Sequence, residues 1–579
     1  MINNKRRKFM KSKNIIKGLA LTAIVAGMAS CSENYLSTEP QSELLVDDVI
    51  ATPEGKTAAV FGLCQSMYQQ YNELYDYRWF NGEPWLSMFY GEVVGQDYFS
   101  YFWTVSERNV VNWTRMQDNT STASYVAWCY CYGLIQQANL ICDATPVSKV
   151  DDAETAFRLA QARTIRAHAY TRLLQIYGPR WADSNNGAVE CVVLRKVAAD
   201  PSGDVNAKLA PMKDVLDFIY QDLDEALDLY ESSGVGRFNE WEPDADIAAG
   251  IYARAALLKD DWATAQKMAA QARKNYDVST ADEYLAGFAE PVSDWMWCNS
   301  SASAGMYFAS FGGSYACNGA YPCRWGSIGA GAINYELYKQ MDENDIRRGL
   351  FFTPDKLSDP AMADKFWNGS YVSATNMNLN NWSQQGPNEI AMDLYRMSVK
   401  KYNEVGASKG WPWPYTNPGY GQTYPRGILV PFGAQFKFWA TDFYGSSAFP
   451  FMRATEMLLI EAEAACHNGD ETTAKNCLAE LNENRIPGYT PTTKSGEALL
   501  DEVKLNRRIE LWGEGFNWFD LKRWGANLER NAWVAGDVNS NNIPASQAFT
   551  YGPEKNNGWR WVLPRKETQY NTYIDQASL

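Results

Sequence analysis

Histidine is almost absent: the 579 residues contain only two, His168 and His467. Neither has a Cys or Ser partner at a recognisable spacing, which removes the usual general base of nucleophilic catalysis and the usual zinc ligand. The chain also lacks H-E-x-x-H, G-x-x-x-x-G-K-[ST], G-x-S-x-G and the dinucleotide-binding fingerprint. No apolar run reaches the ~20 residues of a bilayer span. Positive charge is scarce, with 53 Lys and Arg against 68 Asp and Glu for a net charge of −15. That balance disfavours nucleic acid or an anionic lipid surface as partner and suits neutral ligands. Nothing in the pattern asks for a cofactor or a metal. A glycosidase needs only two carboxylates, and sequence spacing cannot show such a pair.

Three features stand out against these absences. Aromatics make up 14% of the chain, with 22 Trp, 34 Tyr and 24 Phe. The first 17 residues concentrate charge of one sign: Lys5, Arg6, Arg7, Lys8, Lys11, Lys13 and Lys17, with no acid before Glu33. An apolar run, Gly18–Ala29, follows and ends in Met28-Ala29-Ser30-Cys31. It is too short for a permanent span and suits a signal-peptide core, and small residues directly before Cys31 are the pattern of a lipoprotein signal. Residues 1–30 are therefore expected to be removed and Cys31 acylated, anchoring the chain without a transmembrane helix. Translation from Met10 would preserve the same arrangement. Without the seven leader cations, 46 Lys and Arg remain against 68 acids, near −22. Ten further cysteines remain, and Cys129-x-Cys131 and Cys317-x₅-Cys323 have no zinc spacing. Export permits disulfides, so bridges and buried free thiols both stay open.

Helical periodicity dominates two regions. In 153–177, Ala162, Ile165, Ala169, Leu173 and Ile176 recur at three- and four-residue steps until Gly178-Pro179. Further helices are expected at 212–230, 244–258 and 261–276. The last pair repeats at 453–467 and 470–485, with Asp261, Thr264, Ala265 and Ala270 aligning with Asp470, Thr473, Ala474 and Ala479. Antiparallel helix pairs with small residues at the crossing are the physical content of a tetratricopeptide repeat. Between the repeats, about 285–450, the chain is rich in Gly, Trp, Tyr, Asn and Pro, with few helical periods. So many aromatics must fold against the scaffold, and loops on a rigid scaffold are where binding usually resides.

The most informative segment is Asn506–Gly525, NRRIELWGEGFNWFDLKRWG. An amphipathic helix breaks at Gly513 and Gly515, and a second, aromatic helix ends at Gly525. The segment resembles the C-terminal signature of the SusD/RagB family of surface glycan-binding lipoproteins, E-R-R-x-E-L-x-x-E-G-x-R-x-x-D-L-x-R-W-G. Arg507, Arg508, Glu510, Leu511, Glu514, Gly515, Asp520, Leu521, Arg523, Trp524 and Gly525 match, while Asn506 and Asn517 depart. Cys31–Pro40 is similar to the family's mature start, with Ser37 in place of the usual acid, and AQARTIRAHAYTRLLQIYGP is similar to a second family pattern.

The resemblance implies a mainly α fold: a tetratricopeptide-like scaffold, about 50–285 and 450–525, carrying the loop-rich insertion of about 285–450. It implies a non-catalytic lipoprotein of the outer-membrane surface that captures oligosaccharides for a TonB-dependent SusC-like transporter. The overall likeness favours levan or another fructan. A surface glycoside hydrolase and a peptide-binding RagB-like member are the alternatives.

Sugar rings have an apolar C–H face and a hydroxyl rim, so flat aromatics beside Asp, Asn or Arg are the residues to seek. Three stretches offer them: Trp79–Tyr90, in which Gly82 and Pro84 signal an exposed loop at Trp85; Trp295–Cys298 with Tyr307; and Asp393-Leu394-Tyr395-Arg396. In the family the glycan arc combines an aromatic soon after the first helix, which Trp85 matches in position, with loops after the middle helices, where Trp297, Cys298, Tyr307 and Trp325 lie.

Overall fold

Long helices packed side by side build the molecule, and several begin at a capping side chain, as Ser121, Asp152, Asp244, Asp261 and Asp470 show. The computed structural model describes residues 50, 52–69, 80, 82–99, 111–199, 206–299, 316–318, 331–362, 389–411, 432–442, 446–534 and 536–574. The chain divides into two compact units, 1–52 and 53–579, and the second is described here. The leader and Cys31 lie outside the described residues.

The principal helices are α1 (Pro53–Ser66), α2 (Thr122–Ala144), α3 (Ala153–Tyr177), α4 (Met212–Ser233), α5 (Ala245–Leu258), α6 (Trp262–Arg273), α7 (Glu389–Lys401), α8 (Ala454–His467), α9 (Glu471–Glu483), α10 (Gly496–Glu510), α11 (Asn517–Trp524) and α12 (Arg565–Tyr570). The chain is mainly helical, and the observed bounds follow the periodicity closely. The repeat has a structural cause. Asp261 caps α6 by accepting the Thr264 N–H, and Asp470 caps α9 by accepting the Thr473 N–H. Ala265 and Ala474 are both fully buried where the helices cross.

The packing order along the scaffold is α2, α3, α4, α5, α6, then α8 with α9 and α10. Helix α6 packs directly on α8 across 180 residues of sequence, so the insertion leaves the stack intact. Strands β4 (Trp295–Cys298) and β8 (Pro450–Arg453) pair antiparallel, Trp297 opposite Met452, and clasp the insertion's two ends together. Within it a small antiparallel sheet runs β1-β5-β7-β6, from Tyr98–Phe99, Ala332–Ile333, Ala434–Gln435 and Phe351–Phe352. β1 lies between α1 and α2, so the segment before α2 also belongs to this layer. Helix α7 lies inside the region expected to be irregular.

Helix α3 is buried on nearly every side, and its arginines replace solvent with acids from separate elements. Arg158 donates to Glu242 at 2.7 Å, Arg166 to Asp222 at 2.6 and 2.7 Å, and Arg172 Nε to Glu83 at 2.6 Å. Each of these acids is fully buried, so breaking one pair would strand a charge at a cost of about 3–5 kcal/mol. The arginines therefore fix which element lies against α3. None of the nine described cysteines is paired in a disulfide, and seven of them are buried.

Candidate functional site

The turn between α10 and α11 ties the scaffold to the insertion through buried charge. Glu510 is fully buried and accepts from Arg347 at 2.9 Å, from Arg485 at 3.0 and 3.1 Å, and from Arg453 at 3.3 Å. Glu514 accepts from Lys437 at 2.7 Å and from Arg453 at 2.7 and 2.8 Å. Asp345 and Asp294 complete the set, pairing Arg347 and Arg453. Four cations thus meet four acids without solvent. Burial opposes ionisation of Glu510, but Arg485, Arg453 and Arg347 hold its carboxyl well below the usual carboxylate range. Arg347 and Lys437 come from the insertion, Arg453 from its exit strand and Arg485 from the scaffold, so this network fixes the insertion on the scaffold.

The same turn holds the segment that carries Trp85. A short helix, Glu83–Leu86, continues as a π-helix, Ser87–Val93. The Glu92 carboxylate accepts the Gly513 and Gly515 N–H groups at 3.0 and 3.1 Å. A Cβ on Gly91 would stand 1.9 Å from the Gly515 carbonyl oxygen, so backbone meets backbone here.

The expected exposed loop at Gly82–Pro84 is corrected by this arrangement. Glu83 sits at the centre of the fold, donating its N–H to Met67 O at 2.6 Å and holding Arg172 and His168 with its carboxylate. Burial pushes His168 below its ordinary value, and Glu83 partly opposes that. Trp85 follows Glu83 inward: it is 4% exposed and stacked on Phe89 with ring centroids 4.0 Å apart. Its rings meet core side chains, not solvent. Trp297 is fully buried, donating Nε1–H to Trp241 O at 3.0 Å. Cys298 is fully buried, its thiol pushed up to about 12 by burial. Both are in β4, where the clasp with β8 turns them inward, so neither can touch a ligand in this arrangement. Tyr307 and Trp325 lie outside the described residues.

The third stretch reaches the surface through Arg396, whereas Asp393 and Leu394 are buried. Asp393 accepts from the Ser358 N–H at 2.8 Å, from Ser358 Oγ at 2.9 Å and from Arg396 at 2.6 Å. The Arg396 side chain is 60% exposed. Asp393 and Arg396 are thus brought together, the acid buried against Ser358 and the guanidinium open to solvent. Tyr395 belongs to the same helix, and its side chain lies outside the described residues.

One aromatic escaped the sequence reading. Phe238, in the loop between α4 and α5, is 81% exposed, yet its loop is firmly held. Arg237 donates to Met296 O at 2.6 Å and to Tyr276 Oη at 3.0 Å, and the Cys298 N–H donates to Glu240 O at 3.2 Å. A rigid loop therefore presents an open ring beside the strand that enters the insertion. The cue in the sequence is Gly236-Arg237-Phe238-Asn239, a lone aromatic among turn formers and outside any periodic run. Among the described residues no group of three or more His, Cys, Asp and Glu could hold a metal ion.

The SusD family model matches residues 334–578. A SusD-like protein of Bacteroides ovatus is 22% identical over 548 residues, covering 90% of this chain and 83% of that protein. Among solved structures, a SusD-like carbohydrate binding protein from Bacteroides vulgatus is similar with a TM-score of 0.66 at 18% identity, covering 90% of this chain and 97% of that one. A SusD superfamily protein from Bacteroides thetaiotaomicron is similar with a TM-score of 0.61 at 17% identity, covering 90% and 99%.

Proposed function

Starting from the support that the family model and the structural neighbours give to SusD/RagB-family membership, we propose that this chain is a non-catalytic glycan-binding protein of the cell surface. It captures oligosaccharides and delivers them to a SusC-like TonB-dependent transporter in the outer membrane, where acylated Cys31 anchors it. Fructans, levan first, are the polymers to try. The observation that carries the reading is the family match over 334–578, a range that contains every member of the buried network except Asp294, together with a similar fold in a protein described as carbohydrate binding.

Phe238 is the stacking platform in this reading, with Arg396, oriented by the buried Asp393, and Tyr395 as the polar contacts on α7. The test is retention of the purified protein on levan, inulin, starch and xylan, with an assay for new reducing ends. Retention on one polymer without turnover is expected. Phe238→Ala should lower affinity for it at least about tenfold, a loss of ~1.4 kcal/mol, while melting stays unchanged. Turnover, or binding to none of the polymers, refutes the reading. Cys31→Ala should move the protein out of the membrane fraction. Continued membrane attachment of a correctly processed variant would remove the anchor.

A further inference from the structure

One face of α2 carries Trp128, Tyr132 and Gln136 at four-residue spacing, which places the three side chains along one line. They help to line a cleft of about 340 Å³ that opens to solvent, within the size range of small-molecule sites. Arg195 and Ala199, which follow β2 (Glu190–Val193), and Glu567 of α12 supply further lining. None of these residues belongs to the candidate glycan surface described above.

The cleft is preformed. Gln136 accepts the Ala199 N–H at 2.9 Å and donates to Ala199 O at 3.4 Å, pinning the segment after β2 to α2. The Tyr170 hydroxyl accepts the Arg195 N–H and donates to Arg195 O, both at 2.8 Å. Glu567 accepts from Trp128 Nε1 at 3.3 Å and from Asn571 Nδ2 at 2.9 Å, which aims its carboxylate. The Tyr132 hydroxyl turns inward and donates to Val193 O at 2.7 Å. Its ring is half-buried, so the cleft receives the ring and not the hydroxyl. A rigid lining spares a ligand the cost of ordering it.

We propose that this cleft is a second ligand site, taking one or two neutral sugar residues whose C–H face lies on Tyr132 and whose hydroxyls reach Arg195 and Glu567. The chemistry selects against charged ligands. An anion meets Glu567 and a cation meets Arg195, whereas a diol both accepts from a guanidinium and donates to a carboxylate. The choice of a sugar among neutral polyols rests on the glycan reading above; the cleft itself does not.

The experiment uses ligand-observed saturation-transfer NMR on the mature chain, with fructose, glucose, sucrose and maltose as probes and glutamine as a zwitterionic control. Transfer to at least one sugar is expected. It should vanish in Ala199→Trp, which fills the cleft while keeping both backbone bonds to Gln136, and weaken about tenfold in Arg195→Met. Phe238→Ala should leave it unchanged, and retention on polysaccharide should survive in Ala199→Trp. If Ala199→Trp fails to fold by circular dichroism, Arg195→Met decides. The proposal is overturned if no sugar shows transfer, if transfer persists unchanged in the cleft variants, or if glutamine displaces the sugars. Polysaccharide retention without cleft binding overturns the cleft alone. Absence of polysaccharide binding by the native chain overturns the glycan reading, and the cleft then stands or falls on the variant comparison.

Discussion

Glu510→Gln probes the buried network most directly, because the substitution keeps volume and removes only charge. In the native protein both carboxylate oxygens accept. Oε1 faces Arg485 and Arg453, and Oε2 faces Arg347 and Arg485. A glutamine must turn its amide NH₂ toward one of these sets, donor against donor, and the cluster is left with four cations and three acids. Removing one partner of a buried ion pair costs about 3–5 kcal/mol. Unfolding entropy near 2.1 cal/mol/K per residue, over roughly 500 residues, gives about 1 kcal/mol/K, so the melting temperature should fall by about 3–5 °C. Differential scanning calorimetry of the soluble chain beginning after Cys31 measures this. The control is Asp217→Asn, which breaks the exposed Lys213–Asp217 pair one turn apart on α4 and the longer Lys259–Asp217 contact at 3.7 Å. Solvent screening leaves an exposed pair little effect on stability, so the control should melt close to wild type. If Glu510→Gln also melts within about 1 °C of wild type, the network does not hold the two layers together and the argument fails.

Three further outcomes are expected. Trp85→Ala should lose ~3–5 kcal/mol of stability by emptying core volume, while glycan affinity measured well below melting stays unchanged; the reverse pattern would restore Trp85 as a ligand platform. Burial opposes ionisation of Glu463, yet Arg523 holds its carboxyl down to about 2, and Arg172 and His168 likewise hold Glu83 low against burial. These groups bind fewer protons folded than unfolded, so their stabilisation is present above pH ~4.5 and is lost as pH falls toward ~2, at ~1.4 kcal/mol per pH unit per group. Urea midpoints should drop between pH 5 and 3, and less steeply in Glu463→Gln; a flat profile refutes the assignment. Gly515→Ala should cost ~2 kcal/mol or more, because φ is +92° and the new Cβ would stand 2.6 Å from Ser87. Gly536→Ala, at φ +81° with nothing within 4 Å, carries the backbone strain alone, and equal losses in the two would show that the close approach is unimportant.

The scaffold was legible because its helices are long and their apolar period is regular. Ala162, Ile165, Ala169, Leu173 and Ile176 are all fully buried. The Asp–Thr pairs at 261/264 and 470/473 were visible as a repeat before their capping role was. The surface site was not legible at Trp85, because Gly82 and Pro84 mark any tight turn, buried or exposed. Gly82 is needed for a φ of +76° and for Met67 O, which a Cβ would meet at 2.1 Å. Trp297 and Cys298 failed for a different reason. Aromatic content shows that a segment must pack, but only the pairing of β4 with β8 decides which face it presents. Phe238 was missed because a lone aromatic in a short turn carries no periodic signal.

The signature segment shows what a motif match conveys. Arg507 pairs with Asp520 at 2.7 Å, Arg508 with Asp97 at 2.6 Å, and Arg523 with Glu463 at 2.5 and 2.6 Å, while Trp524 Nε1 donates to the same Glu463 at 2.7 Å. With Glu510 and Glu514 in the network, every charged position of the signature is spent inside the fold. Such positions tolerate little exchange, because a buried guanidinium needs its planar fork matched and a buried acid needs its cation. Asn517, which departs from the family pattern, has been absorbed in the same way: its side-chain oxygen accepts the Gln96 N–H at 2.7 Å and its amide donates to Asp97. The motif therefore specifies how the insertion is fastened to the scaffold and says nothing about what the exposed residues meet. Specificity must reside in exposed residues that the signature does not cover. Among the described residues the rigidly held Phe238 and the exposed Arg396 meet that condition, whereas Asp393, Trp85, Trp297 and Cys298 do not.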